Sequence, residues 1–206
     1  ALGSALFYAG DRVGARRNLE RAVAIGSAYE AFANLATLEF YEHDYARAAE
    51  LYERALEMLD TDYVVWNSLG EALRFSGGDP EEIREAYRRA AEIAHRLLEG
   101  SPEDLTLLID LASFHVLFGE IEEGRRLIAG AEAATINDPN HMYALAAVYE
   151  QLGERENALR WIERCLQTGF PVEIIEDYPG FRELLSDPRF KELSTTSAMP
   201  DLHEEV

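Results

Sequence analysis

Lysine is all but missing from this chain: Lys191 stands alone, and the other cations are arginine. Cysteine is as scarce. Cys165 by itself excludes an internal disulfide framework and fits a reducing compartment, so a cytoplasmic location is expected. No run approaches the ~18 consecutive apolar residues of a membrane span, so the chain is not expected to cross a bilayer. Positive charge is also short, with 19 Lys and Arg against 39 Asp and Glu and a formal net charge of -20. Phosphate-binding surfaces need clustered cations, and no basic stripe with interleaved aromatics exists, which excludes nucleic acid as the partner. The pairs Arg16–Arg17, Arg88–Arg89 and Arg125–Arg126 sit beside acids and read as solvated, locally paired charges. The acid excess attracts basic partners at long range. A halophilic source gives the same composition, so no partner follows from charge alone.

Catalytic and metal-binding constellations are missing too. His43, His95, His115, His141 and His203 form no i, i+4 pair, and no further cysteine completes a zinc site. Ser76–Gly77–Gly78–Asp79–Pro80 is a turn into a helix, with no lysine to make a phosphate loop. Cys165 occupies a packing slot rather than a nucleophile's position, and His115 falls in a core slot. Neither an enzyme nor a cofactor is expected.

What the chain does have is a repeat. Leucine followed by a small residue recurs at Leu2–Gly3, Leu35–Ala36, Leu69–Gly70, Leu111–Ala112 and Leu145–Ala146, at intervals of 33, 34, 42 and 34 residues. Seven residues beyond each small residue come Gly10, His43, Gly77, Gly119 and Gly153, each at a turn leading to an acid. A second helix follows with a small, a bulky and a small residue at spacings of four and three. These triplets are Ala15–Leu19–Ala22, Ala48–Tyr52–Ala55, Ile83–Tyr87–Ala90, Gly124–Ile128–Ala131 and Ala158–Ile162–Cys165. Each shares one helical face, where small residues admit a close neighbour and the bulky one fills the gap.

Trp66, Leu69, Gly70, Ile83, Tyr87 and Ala90 of the third repeat carry a resemblance to the tetratricopeptide repeat family, as does the second repeat's NLATLEFYEHDYARAAELYERAL. The resemblance covers roughly residues 2 to 167. It implies an all-α, right-handed α-solenoid of about five antiparallel helix hairpins, with first helices lining a groove for a peptide or partner helix. Three departures stand out. The first-helix tyrosine slot is filled only by Tyr149, with Leu6, Glu39, Leu73 and His115 elsewhere. The third repeat is overlong and extends its second helix through Ile93, Leu97 and Leu98 to Gly100–Ser101–Pro102. The first repeat begins inside a helix, so further repeats or an upstream domain of the same chain are expected.

Residues 1–98 are accordingly expected to hold repeats one to three, and 101–168 repeats four and five. Residues 169–193 are expected to form C-terminal capping helices, punctuated by Pro171, Pro179 and Pro188, with Phe181, Leu184, Phe190 and Leu193 covering the last hairpin. Asp187–Pro188 reads as a helix cap followed by proline at the first position. This segment resembles the closing element of bacterial repeat proteins. That resemblance implies a second reading, a regulatory or sensory segment of a kinase, cyclase or transcription regulator. Residues 194–206 show no helical period and are expected to be a mobile tail.

The expected groove residues are Phe7, Tyr8, Thr37, Phe40, Tyr41, Asn67, Glu71, Arg74, Phe75, Ile109, Ser113 and Tyr143. Aromatics dominate interface energetics, so a protein or peptide partner with apolar or aromatic anchors is expected. A clamp for a terminal carboxylate is not, because Arg74 is the groove's one arginine.

Overall fold

Aspartate caps half of the described helices in this chain. The computed structural model describes residues 12–25 and 28–197. In it Asp44, Asp62, Asp104 and Asp138 each accept a first-turn backbone N–H, at 3.1, 3.0, 3.2 and 2.8 Å. Asp79 and Asp187 do the same at 2.8 and 2.9 Å for helices opened by Pro80 and Pro188. Each satisfies a donor that the helix cannot pair internally. Hairpin turns are set by backbone handedness. Gly77, Gly119, Gly153 and Gly169 have φ of 77, 81, 72 and 83°. His43, in the slot where the other turns carry glycine, adopts φ 65° and is the sole non-glycine residue with positive φ among the described residues.

The helices so defined are α1 (Arg12–Ala24), α2 (Tyr29–Tyr41), α3 (Tyr45–Met58), α4 (Tyr63–Ser76), α5 (Pro80–Gly100), α6 (Leu105–Leu117), α7 (Ile121–Glu132), α8 (Pro139–Gln151) and α9 (Arg155–Gln167). After them come α10 (Val172–Asp177), a 3-10 turn (Pro179–Phe181), α11 (Arg182–Ser186) and α12 (Pro188–Ser197). The described residues contain no strand.

Two compact units result, one up to Arg96 and one from Leu97. In the first, α2 pairs with α3, and α4 packs on both. The small positions do what their size implies. Ala48, Ala55 and Ala90 are fully buried, and a Cβ on Gly70 would lie 2.8 Å from the Tyr87 ring, so α4 and α5 approach closely because residue 70 has no side chain. In the second unit, α6 pairs with α7, α8 with α9, and α8 packs on α6. Gly124 plays the part of Gly70 there, with Val116 Cγ2 2.7 Å from its missing Cβ.

Ile175, Phe181, Leu184 and Phe190 are buried in the C-terminal segment, and α12 packs on α9. The last helix runs on to Ser197, so residues 194–197 are not the tail expected from the sequence. Ser194 and Thr195 hydroxyls donate to the carbonyl of Lys191, and their side chains bond to the helix instead of filling an apolar face.

Candidate binding face

The first helices α2 and α4 meet through a polar layer founded on two buried phenols. Tyr52 fills the bulky slot of α3, and its hydroxyl donates to Thr37 Oγ1 at 2.9 Å while Thr37 donates to the Ala33 carbonyl at 3.0 Å. Burial drives the Tyr52 phenol up to about 12, against the opposing effect of its hydrogen bonding with Thr37 and Ser68. Tyr87, the equivalent residue of α5, is pushed up by burial and by the Glu71 carboxylate. Glu71 accepts from Arg74 Nη2 at 3.5 Å, and the Arg74 guanidinium lies 4.3 Å from the Phe75 ring centroid. Arg74 is therefore already engaged by a carboxylate and a ring. Asn67 lies half-buried in the same helix.

Beside this layer sits an aromatic group at the turn ends of two hairpins. Phe40 is 5% exposed, and its ring meets Tyr41 at 5.8 Å, Tyr45 at 5.2 Å and Phe75 at 6.0 Å, all edge-on. Tyr45 also meets Phe75 at 5.6 Å, and its hydroxyl bonds His43 Nδ1 at 2.8 Å. Tyr41, Tyr45 and Phe75 remain half-exposed around the buried Phe40. Phe40, expected to face the groove, is thus the ring on which the others rest. Tyr45 went unnoticed in the sequence because it opens a second helix, outside the first-helix alignment.

Behind the face, Arg16 of α1 makes a two-pronged contact with Glu39 of α2, at 2.7 and 2.8 Å. Glu39 is the one buried charged residue, 8% exposed, among the described residues. It holds the tyrosine slot. Tyr149 fills that slot in α8 and donates to Glu132 of α7 at 2.9 Å, so in both hairpins the slot ties a first helix to the preceding second helix.

The unit from Leu97 has its own first-helix face. Ser113 Oγ donates to Gln151 Oε1 at 3.0 Å, and Thr106 pairs with His141 at 2.9 Å, linking α6 to α8. Two expected groove residues are committed elsewhere. Ile109 is 1% exposed and belongs to the core. Tyr143 stacks on Phe170 at 5.6 Å and meets Tyr178 and Phe181 at 5.9 and 5.4 Å, so it seats the capping segment. Phe7 and Tyr8 lie outside the described residues. Cys165 is buried, its thiol donating to the Pro139 carbonyl at 3.3 Å, and burial raises its pKa to about 12, which makes it a packing residue. His115 bonds Glu120 at the α6–α7 turn.

With this geometry in hand, the class of molecule is clear. Residues 142–172, the hairpin of α8 and α9, match the tetratricopeptide repeat family. Among solved structures, TTC0263, a thermophilic tetratricopeptide repeat protein of Thermus thermophilus, aligns with TM-score 0.59 and 19% identity over 87% of this chain and 95% of that one. YrrB, described as a tetratricopeptide repeat protein with an unusual peptide-binding site, aligns with TM-score 0.47 and 17% identity over 80% of this chain and 81% of that one. None of the curated proteins gives a significant match. Residues 142–172 thus form a tetratricopeptide-type repeat, and the described residues share the all-α fold of antiparallel helical hairpins seen in the TTC0263 structure. Among the described residues no helix is long and apolar enough to cross a membrane.

Proposed function

We propose that this chain is a non-catalytic scaffold whose α2–α4 face takes a peptide or a partner helix through apolar or aromatic anchors. One observation carries the reading: Tyr41, Tyr45 and Phe75 stand half-exposed on a buried Phe40. Rings held by other rings lose little side-chain entropy on binding and present large apolar area, the properties of interface anchors. Arg74 strengthens the choice of ligand. Its guanidinium is engaged by Glu71 and Phe75, so it braces the face instead of waiting for a carboxylate.

Display selection of peptides on the wild-type chain tests the proposal, with each winner measured again on Tyr41→Ala/Phe75→Ala. Loss of two anchors weakens binding by at least about tenfold, while thermal melting stays cooperative. Phe40→Ala is the wrong variant, because removing a buried ring loosens the hairpin itself. Winners that bind the double variant as tightly as the wild type place the site elsewhere.

A further inference from the structure

A second recess opens on the other side of α4. Trp66, Leu69 and Leu73 are spaced by three and four residues and share one side of that helix, while Asn67, Glu71, Arg74 and Phe75 share the other. Together with Leu56 of α3 and Ala86 of α5 they floor a cleft of about 590 Å³ between the two second helices. A volume of that size takes several side chains.

Every charged residue on its walls is a glutamate. Glu57, Glu81 and Glu85 are held by Arg54, Arg84 and the Arg88–Arg89 pair of their own helices. Glu53 of α3 and Glu82 of α5 make no ion pair among the described residues. The Glu53 carboxyl is pushed upward by partial burial and then by Glu82, Glu50 and Glu57. Like charges brought together at an apolar recess repel, and a cation between them relieves both.

We infer that this cleft docks a basic amphipathic segment of a partner protein, one apolar side chain entering over Trp66 and arginine or lysine groups reaching Glu53 and Glu82. The apolar floor supplies contact area and the glutamate walls supply sign and steering. The chain's own last residues, with Asp201, Glu204 and Glu205, have the wrong charge to fill it, and a second copy with a net charge of -20 is repelled. The surface is distinct from the aromatic face of α2 and α4, so either stands if the other fails.

The test uses the full chain and a synthetic amphipathic helical peptide of leucine, alanine and arginine. The chain has two tryptophans, and their indole N–H signals separate the sites. Trp66 Nε1 donates to the Asp60 carbonyl at 2.8 Å beside the cleft, and Trp161 Nε1 donates to Glu132 at 3.0 Å in the other unit. Titration moves the Trp66 signal to saturation and leaves Trp161 in place. The same peptide with glutamate for arginine gives no shift. Glu53→Gln/Glu82→Gln weakens affinity about tenfold and flattens its salt dependence, with Trp161 unmoved as proof of fold. Tyr41→Ala/Phe75→Ala binds this probe as the wild type does. The inference is overturned if Trp66 does not respond, if the glutamine variant binds equally well, or if sedimentation without peptide gives a dimer that covers Trp66.

Discussion

His43 shows how one residue can depart from a repeat and still keep its geometry. It adopts the left-handed backbone that glycine supplies at the other turns, with φ 65°. A side chain in that region is strained by about 1–2 kcal/mol, partly offset by the bond to Tyr45 and the ring contact at 5.9 Å. His43→Gly is expected to stabilise the chain by about 0.5–1 kcal/mol, net of those contacts and of the looser unfolded chain. Urea unfolding reads this as a higher midpoint at an unchanged slope, and a midpoint at or below wild type contradicts it. The turn slot was legible in the sequence because the other turn positions are glycine. Which groove-facing positions stay open was not. Phe40, Ile109 and Tyr143 occupy the same kinds of alignment position as their exposed neighbours. Phe40 is held against rings from Tyr45 and Phe75, and Tyr143 against rings from Phe170 and Phe181, contacts that no helical period places.

At the scale of the element, close approach and capping decide stability. Gly70→Ala puts a methyl group 2.8–3.0 Å from three atoms of the buried Tyr87 ring. Overpacking costs about 1–3 kcal/mol and the better helix propensity of alanine returns about 1 kcal/mol. A net loss of up to about 2 kcal/mol is expected, and a raised melting temperature would show that the ring yields at no cost. Helix α12 responds to acid through its cap. Asp187 is held down to about 2, below the ordinary 3.8, by the Arg189 side chain and backbone N–H. Because the folded value is the lower one, its stabilisation is full above about pH 4 and is lost as pH falls towards 2. Amide exchange of Arg189 and Phe190 should quicken over that window in wild type and stay flat in Asp187→Asn, which keeps a capping oxygen but cannot titrate. The cap was readable in Asp187–Pro188, whereas the continuation through Ser197 was not, since serine and threonine give no apolar signal.

For the whole molecule, charge is the governing quantity. A net charge of -20 makes the folded chain repel itself, and the ion pairs that oppose this, such as Arg47–Glu50 and Arg126–Glu123, are exposed and weak. Salt should therefore stabilise the protein. Shortening the Debye length from about 30 Å to about 8 Å is expected to raise the melting temperature, and a fall would mean that the pairs outweigh the repulsion. The order of the described helices was legible from leucine–small pairs, turn glycines and small–bulky–small triplets, because every hairpin must place a small residue where helices touch. The scarcity of lysine gives this molecule a convenience of its own. Lys191 carries the only ε-amine, on an exposed side of the helix that closes the last hairpin. An amine-reactive fluorophore has that one ε-amine to attach to, and its anisotropy follows the docking of the capping helix without any engineered cysteine.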